Sequence, residues 1–277
     1  EQSLHRCRHS CSNSCRDGGV GVFINIKLVG GELFPPLTNY LNTHMNYLVL
    51  TPDGVGIPES KNSGMDTLER CYDKDHYLSY TKDISYRYNS RGFRDHEWPE
   101  DLSDVVWCVG DSFTVGIGQP FEETWPQVLE KKIGKKCLNI GEDGCSNDTM
   151  ALRTQEICKL HSPKLVVVMW SYFARRRVNG ENVHHDRNHF GVDEDMANFS
   201  KNFKIVSELP ANIINLIIPR AFENGEMLKQ NHPELRILKQ LDYARDHHHF
   251  DFKTSRGVSQ LIIKKIIEFD NTSKYPI

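Results

Sequence analysis

No run of apolar residues in this sequence approaches the ~20 needed to cross a bilayer as a helix, so no membrane span is expected. No basic stretch leads into an apolar one at the start, so a signal-peptide pattern is missing; beginning at Glu1 rather than Met, the chain reads as a processed product or a fragment. Positive charge is in short supply. With 34 Lys and Arg against 37 Asp and Glu, the net charge is −3, which leaves no cationic surplus to neutralise phosphates and argues against nucleic acid as a partner. Cysteines are too scattered for a disulfide scaffold. Of the eight, Cys7, Cys11 and Cys15 crowd a polar leader, while Cys71, Cys108, Cys137, Cys145 and Cys158 are spread over the rest. That usage suits a reducing compartment, and the cytoplasm is the expected location. Two nucleotide fingerprints are also missing. "GDSFTVGIG" has neither the lysine nor the spacing of a phosphate-binding loop, and Phe121 stands where a dinucleotide fingerprint needs a small residue. No cofactor is expected.

What is present is a chain of 277 residues, enough for one domain of about 200 residues plus extra segments. Residues 1–44 are rich in Ser, Arg, Cys, Gly and Pro and are expected to form a loosely ordered tail. The cysteine spacing of "CRHSCSNSC" misses the common zinc and cluster patterns. Residues 45–103 hold many turn signals and few long apolar runs, and read as an irregular cover. From residue 104 the pattern changes. "VVWCVG" (105–110), "KCLNIG" (136–141), "KLVVVMWS" (164–171) and "NIINLIIP" (212–219) are short apolar runs separated by helix-length segments. Such runs are the mark of parallel strands buried on both faces. A three-layer α/β/α sandwich with a flavodoxin-like parallel sheet is therefore expected over 104–277. "TWPQVLEKKIG" suggests a helix with a Thr124–Gln127 capping box, Pro126 in its first turn and a stop at Gly134. A second helix should start at Ser146 or Asn147 and a last one should cover about 255–269. "RILKQLDYA" fits a fifth strand or a helix equally well.

In a doubly wound sheet, sites form at the carboxyl ends of strands. Three of the expected strand ends carry unusual residues: Asp111-Ser112, then "GEDGCSND", then "WSYFARRR". A nucleophilic Ser112 needs a base, and the base should be a His oriented by a carboxylate. Three Asp-x-x-His pairs are present: Asp73/His76, Asp186/His189 and Asp246/His249. Only the last follows the final strand candidate and precedes the last helix, where a loop can fold back over Ser112. The run His247-His248-His249 fits no standard zinc spacing, and no metal is expected. Residues 174–193 are polar and read as a long binding or lid loop.

Gly110-Asp111-Ser112 with Gly116, "NIGEDGCSND" and "ARDHHHFD" resemble, in order, three blocks of the SGNH (GDSL-like) hydrolases. The resemblance covers about residues 104–269. It implies a serine esterase or acyltransferase in which Ser112 attacks, His249 is the base and Asp246 orients it. Backbone N–H groups of Ser112 and Gly144 would then hold the oxyanion, and Asp111 would anchor the turn. One block departs from the family: where it has Gly-x-Asn-Asp, this chain has Trp170-Ser171-Tyr172-Phe173. Ser171, Tyr172 and the nearby Asn147 are the substitute donors considered, with Asn147 preferred, and Ser171, Tyr172, Arg175 and Arg176 are the candidate substrate contacts. The expected partner is a small-molecule or carbohydrate ester, with a carbohydrate O-acetyl ester the preferred class. The missing Asn motivates the competing reading, a non-catalytic carbohydrate-binding or structural protein that retains the fold.

Overall fold

The apolar runs become strands. β1 (Val106–Gly110), β2 (Cys137–Gly141) and β3 (Leu165–Trp170) are buried at every residue. β4 (Arg176–Val178) and β5 (Glu181–Val183) pair with each other as a separate antiparallel hairpin. β6 (Asn212–Ile217) and β7 (Arg236–Ile237) complete the main sheet, whose order is β2-β1-β3-β6-β7 with every pair parallel. In chain order its strands run 2-1-3-4-5, the flavodoxin-like doubly wound arrangement. The computed structural model describes residues 46–50, 55–183, 191–219 and 225–272. The tail expected over 1–44 lies outside the described residues.

Seven α-helices accompany the sheet among the described residues: α1 (Lys74–Ser79), α2 (Ser112–Val115), α3 (Trp125–Ile133), α4 (Asn147–His161), α5 (Val192–Ser207), α6 (Gly225–Asn231) and α7 (Phe252–Thr272). α3 packs on α7, and α4 on α5. The β1-to-β2 crossover runs one way across the sheet, and the next three run the other way. Right-handed crossovers then place the two helix pairs on opposite faces, which makes three layers. None of these helices is long and apolar enough to cross a membrane.

Fully buried Trp107, Trp125, Trp170 and Phe199 fill the space between sheet and helices. Each large apolar side chain so buried contributes about 1.5–3 kcal/mol, more than the ~1 kcal/mol of a helix cap. The fold therefore rests on the sheet sandwich, and the caps set only the helix ends. Ser146 caps α4 by accepting the Thr149 N–H at 3.2 Å. The expected capping box at α3 is not formed. Thr124 is the N-cap, but its hydroxyl donates to the Phe121 carbonyl at 2.8 Å, and Pro126 removes one N–H it could have accepted. α7 is longer than expected at both ends. The ambiguous segment near Arg236 is a strand of two residues.

The described part of the long polar segment after β3 contains regular structure. Residues 176–183 form the β4–β5 hairpin, turned by Asn179 (φ 51°) and Gly180 (φ 91°). Two consecutive left-handed residues are what an Asn-Gly hairpin turn requires. In the cover, the regular features among the described residues are α1 and one bridge between Ser60 and Tyr86. Its Ile84 and Tyr86 are buried in a small cluster with Val115 and Ile117, beside the turn that follows β1.

β2 is the edge of the sheet, and its outward N–H groups all have side-chain acceptors. Cys137 N donates to Glu130 (3.0 Å), Asn139 N to Asp95 (3.0 Å) and Gly141 N to the Asn139 side chain (3.1 Å).

Candidate active site

β1 ends at Gly110 and the chain turns at once into α2. Asp111 is its N-cap, accepting the Phe113 N–H at 3.0 Å. The turn sits directly on the strand ends because two glycines make room. A Cβ on Gly141 would lie 2.6 Å from the Val115 nitrogen, and one on Gly110 would lie 2.0 Å from Thr114 Oγ1. Ser112 thus becomes the first residue of a short helix at the crevice between β1 and β3, where the strand order reverses. It is only 3% exposed.

Ser112 Oγ lies 2.8 Å from His249 Nε2, and His249 Nδ1 lies 2.5 Å from Asp246 Oδ2. The other Asp246 oxygen accepts the backbone N–H groups of His248 and His249, both at 3.0 Å. Three hydrogen bonds thereby satisfy this buried carboxylate, as a buried charge demands. Burial opposes its ionisation, but the attraction of His249 and these hydrogen bonds prevail and bring Asp246 down to about 2. Burial likewise disfavours a charged His249. Asp246, helped by Asp143 and Asp111, outweighs that and raises the imidazole above its ordinary value. The Phe113 ring packs against His249 at 4.6 Å between centroids.

The three histidines in a row face different neighbours. His247, at φ 55°, packs on His76 and Tyr243; His248 packs on Tyr72 and Phe113; His249 alone reaches Ser112. Among the described residues, no three His, Cys, Asp or Glu side chains are grouped to hold a metal ion. The Asp73/His76 pair has another geometry: Asp73 caps α1 through the His76 N–H, and the His76 ring meets the Ala244 carbonyl at 2.9 Å. Asp186/His189 lies outside the described residues.

The third strand end is occupied by an internal network. Asn147 donates to the Tyr172 carbonyl (2.8 Å) and accepts from the Ser171 N–H (3.1 Å), so its amide braces the end of β3. Ser171 is fully buried, and its hydroxyl donates to Asp111 at 2.5 Å. Arg175 donates to the same Asp111 oxygen at 3.1 Å and lies over the Tyr172 ring at 5.1 Å. Arg176 pairs with Asp195 at 2.7 Å. Gly144, at φ 72°, sits in the turn closed by Cys145 N to Glu142 O (3.1 Å), just after β2. The part played by Arg175 in holding Asp111 was not foreseen from the sequence, where its only visible trait is membership of a run of three arginines.

A hydroxyl facing an imidazole that is oriented by a buried carboxylate can lose its proton as it attacks an electrophilic carbon. No protein-family model matches the chain, and no curated protein does. Solved structures similar to it include a carbohydrate esterase whose active site is described as having divergent catalytic and non-catalytic binding functions. That likeness has 13% identity over 62% of this chain and 67% of the other, with a TM-score of 0.44. A psychrotrophic esterase from Pseudoalteromonas sp., inhibited by monoethylphosphonate, has 15% identity over 61% of this chain and 100% of the other, with a TM-score of 0.43. A member of the lipolytic G-D-S-L family from Veillonella parvula has 14% identity over 58% and 96%, with a TM-score of 0.39.

Proposed function

We propose that this protein cleaves carboxylic esters, or passes their acyl group to an acceptor, through Ser112, His249 and Asp246. His249 Nε2 takes the proton as Ser112 Oγ attacks the ester carbonyl. Asp246 holds the imidazole in the tautomer with its proton on Nδ1 and stabilises the imidazolium. The tetrahedral intermediate expels the alcohol, which receives the proton from His249. Water or another acceptor then resolves the acyl-enzyme by the reverse sequence. The backbone N–H groups of Ser112 and Gly144 are the proposed oxyanion donors. The observation that carries this reading is the unbroken hydrogen-bonded line Ser112–His249–Asp246, at 2.8 and 2.5 Å, from residues 137 positions apart.

Residues 104–277 are the proposed hydrolase domain and 45–103 its cover. A carbohydrate O-acetyl ester is the proposed substrate class. It is supported by the polar segment after β3 and by Tyr172, a half-buried ring that is backed by Arg175. Asn147, Ser171, Arg175 and Arg176 all bond within the protein; we assign the Tyr172 ring, which the Arg175 guanidinium backs, to stacking on the substrate. A fluorophosphonate probe tests the reading. Wild-type protein should be labelled at Ser112 and Ser112→Ala should not; a folded wild type that stays unlabelled would overturn it.

A further inference from the structure

The loop that bears Asp246 and His249 has no regular structure of its own, yet its backbone is fixed from outside at several points. Arg245, the residue before Asp246, forms a two-pronged pair with Asp66: Nε to Oδ1 at 2.8 Å and Nη2 to Oδ2 at 2.7 Å. Its Nη2 also donates to the Lys61 carbonyl at 2.7 Å. Asp66 is fully buried and takes a third bond, from the Tyr86 hydroxyl, at 2.7 Å. That hydroxyl in turn accepts the Gly118 N–H at 2.8 Å. Gly118 lies six residues beyond Ser112, and its carbonyl accepts the Arg245 N–H at 2.8 Å. The contact is tight: a Cβ on Gly118 would lie 2.8 Å from the Ala244 Cβ and 3.2 Å from Asp246 Oδ1. Two further bonds reach the loop from the same cover segment, Tyr72 N to the Asp246 carbonyl (3.0 Å) and the His76 ring to Ala244 O (2.9 Å).

A buried carboxylate costs solvation and is retained only where its donors are complete. Here the three donors of Asp66 come from both halves of the proposed site: Arg245 from the histidine loop, and Tyr86, which grips the turn after Ser112. We infer that Asp66, acting through Arg245 and Tyr86, is a positioning residue that sets the distance between Ser112 and His249. Its effect on turnover rests on the ester-cleavage reading; its effect on the His249 loop rests on geometry alone.

The test is Asp66→Asn, which keeps the shape but removes the charge, compared with wild type in two readouts. The first is turnover of p-nitrophenyl acetate. Since a misplacement of ~1 Å can cost 10²-fold, kcat should fall about 10–100-fold with KM held within about twofold. The second is the His249 imidazole observed by NMR, which faces Asp246 on its own loop, Asp111 before α2, Asp143 after β2 and the His248 ring. Its pKa should fall toward the ordinary value, and its Nδ1 proton signal should move. A merely structural role would lower the melting temperature and leave both readouts unchanged; that result in a folded Asp66→Asn protein overturns the inference. Should Asp66→Asn fail to fold, Tyr86→Phe removes only the hydroxyl between Asp66 and Gly118. It should move both readouts in the same direction by less, and no movement would again overturn the inference. An unlabelled wild-type Ser112 would end the hydrolase reading, and the NMR comparison would still decide this one.

Discussion

Asp73/His76 and Asp246/His249 share one sequence pattern and do different work. In the first, the carboxylate takes the His76 backbone N–H and starts a helix, while the ring turns away to the Ala244 carbonyl. In the second, the carboxylate takes the backbone N–H groups of 248 and 249 on one oxygen and the His249 ring on the other. Asp73 is a half-buried helix cap, whereas Asp246 is fully buried. A helical backbone carries the His76 side chain away from the capping carboxylate. The left-handed turn at His247 (φ 55°) lets the His249 ring return to its own aspartate. Spacing supplies a candidate pair, and backbone conformation decides whether carboxylate and imidazole meet.

Breaking the second pair should have the largest effect. Asp246→Asn should lower kcat for an acetyl ester by about 10⁴-fold, because the imidazole loses the partner that fixes its tautomer; steady-state turnover checks this. Next comes pH. His249 must be neutral to act as a base, and its pKa is raised above 6.5, so kcat/KM should climb about tenfold per pH unit below that raised value and level off above it. Stability should run the other way. The Asp246 contribution is present above 3.8 and is lost as pH falls toward about 2, while that of charged His249 is present below 6.5 and is lost as pH rises through its raised value. The pair should therefore stabilise the fold most between 3.8 and 6.5, where the base is blocked; urea titrations across pH read this directly. Replacing His76 with Phe removes one bond to the catalytic loop. At about 0.5–1.5 kcal/mol for such a bond, turnover should drop by no more than roughly tenfold. Smallest of all, Asp73→Ala should leave kcat within about twofold, since a lost N-cap touches only the end of α1; a larger loss would mean that the two pairs are coupled through Ala244.

Much of the sheet was legible because strands buried on both faces read as unbroken apolar runs, and β1, β2, β3 and β6 fall within the runs that announce them. β7 was ambiguous because a two-residue strand has no period. The β4–β5 hairpin carried its signal in Asn179-Gly180, between "RRV" and "ENV", yet the arginine-rich flanks read as loop. Ser112 was singled out by its place at a strand end, and Asp246 and His249 by theirs between the last strand candidate and the final helix. The Asp66–Arg245 pair spans 179 positions, and a fork between one buried carboxylate and one guanidinium leaves no mark on local sequence. Asn147 was considered as an oxyanion donor from its neighbourhood alone; the structure has its amide on the backbone of 171 and 172.

The edge of β2 bears on how this protein behaves in a crowd of its own copies. An open strand edge offers a row of unpaired donors on which a neighbouring chain can add a strand. Here Glu130, Asp95 and Asn139 occupy the outward N–H groups of residues 137, 139 and 141. An incoming strand would have to displace two carboxylates and an amide before making its first backbone bond. That side of the sheet is closed to edge-to-edge growth by three side chains.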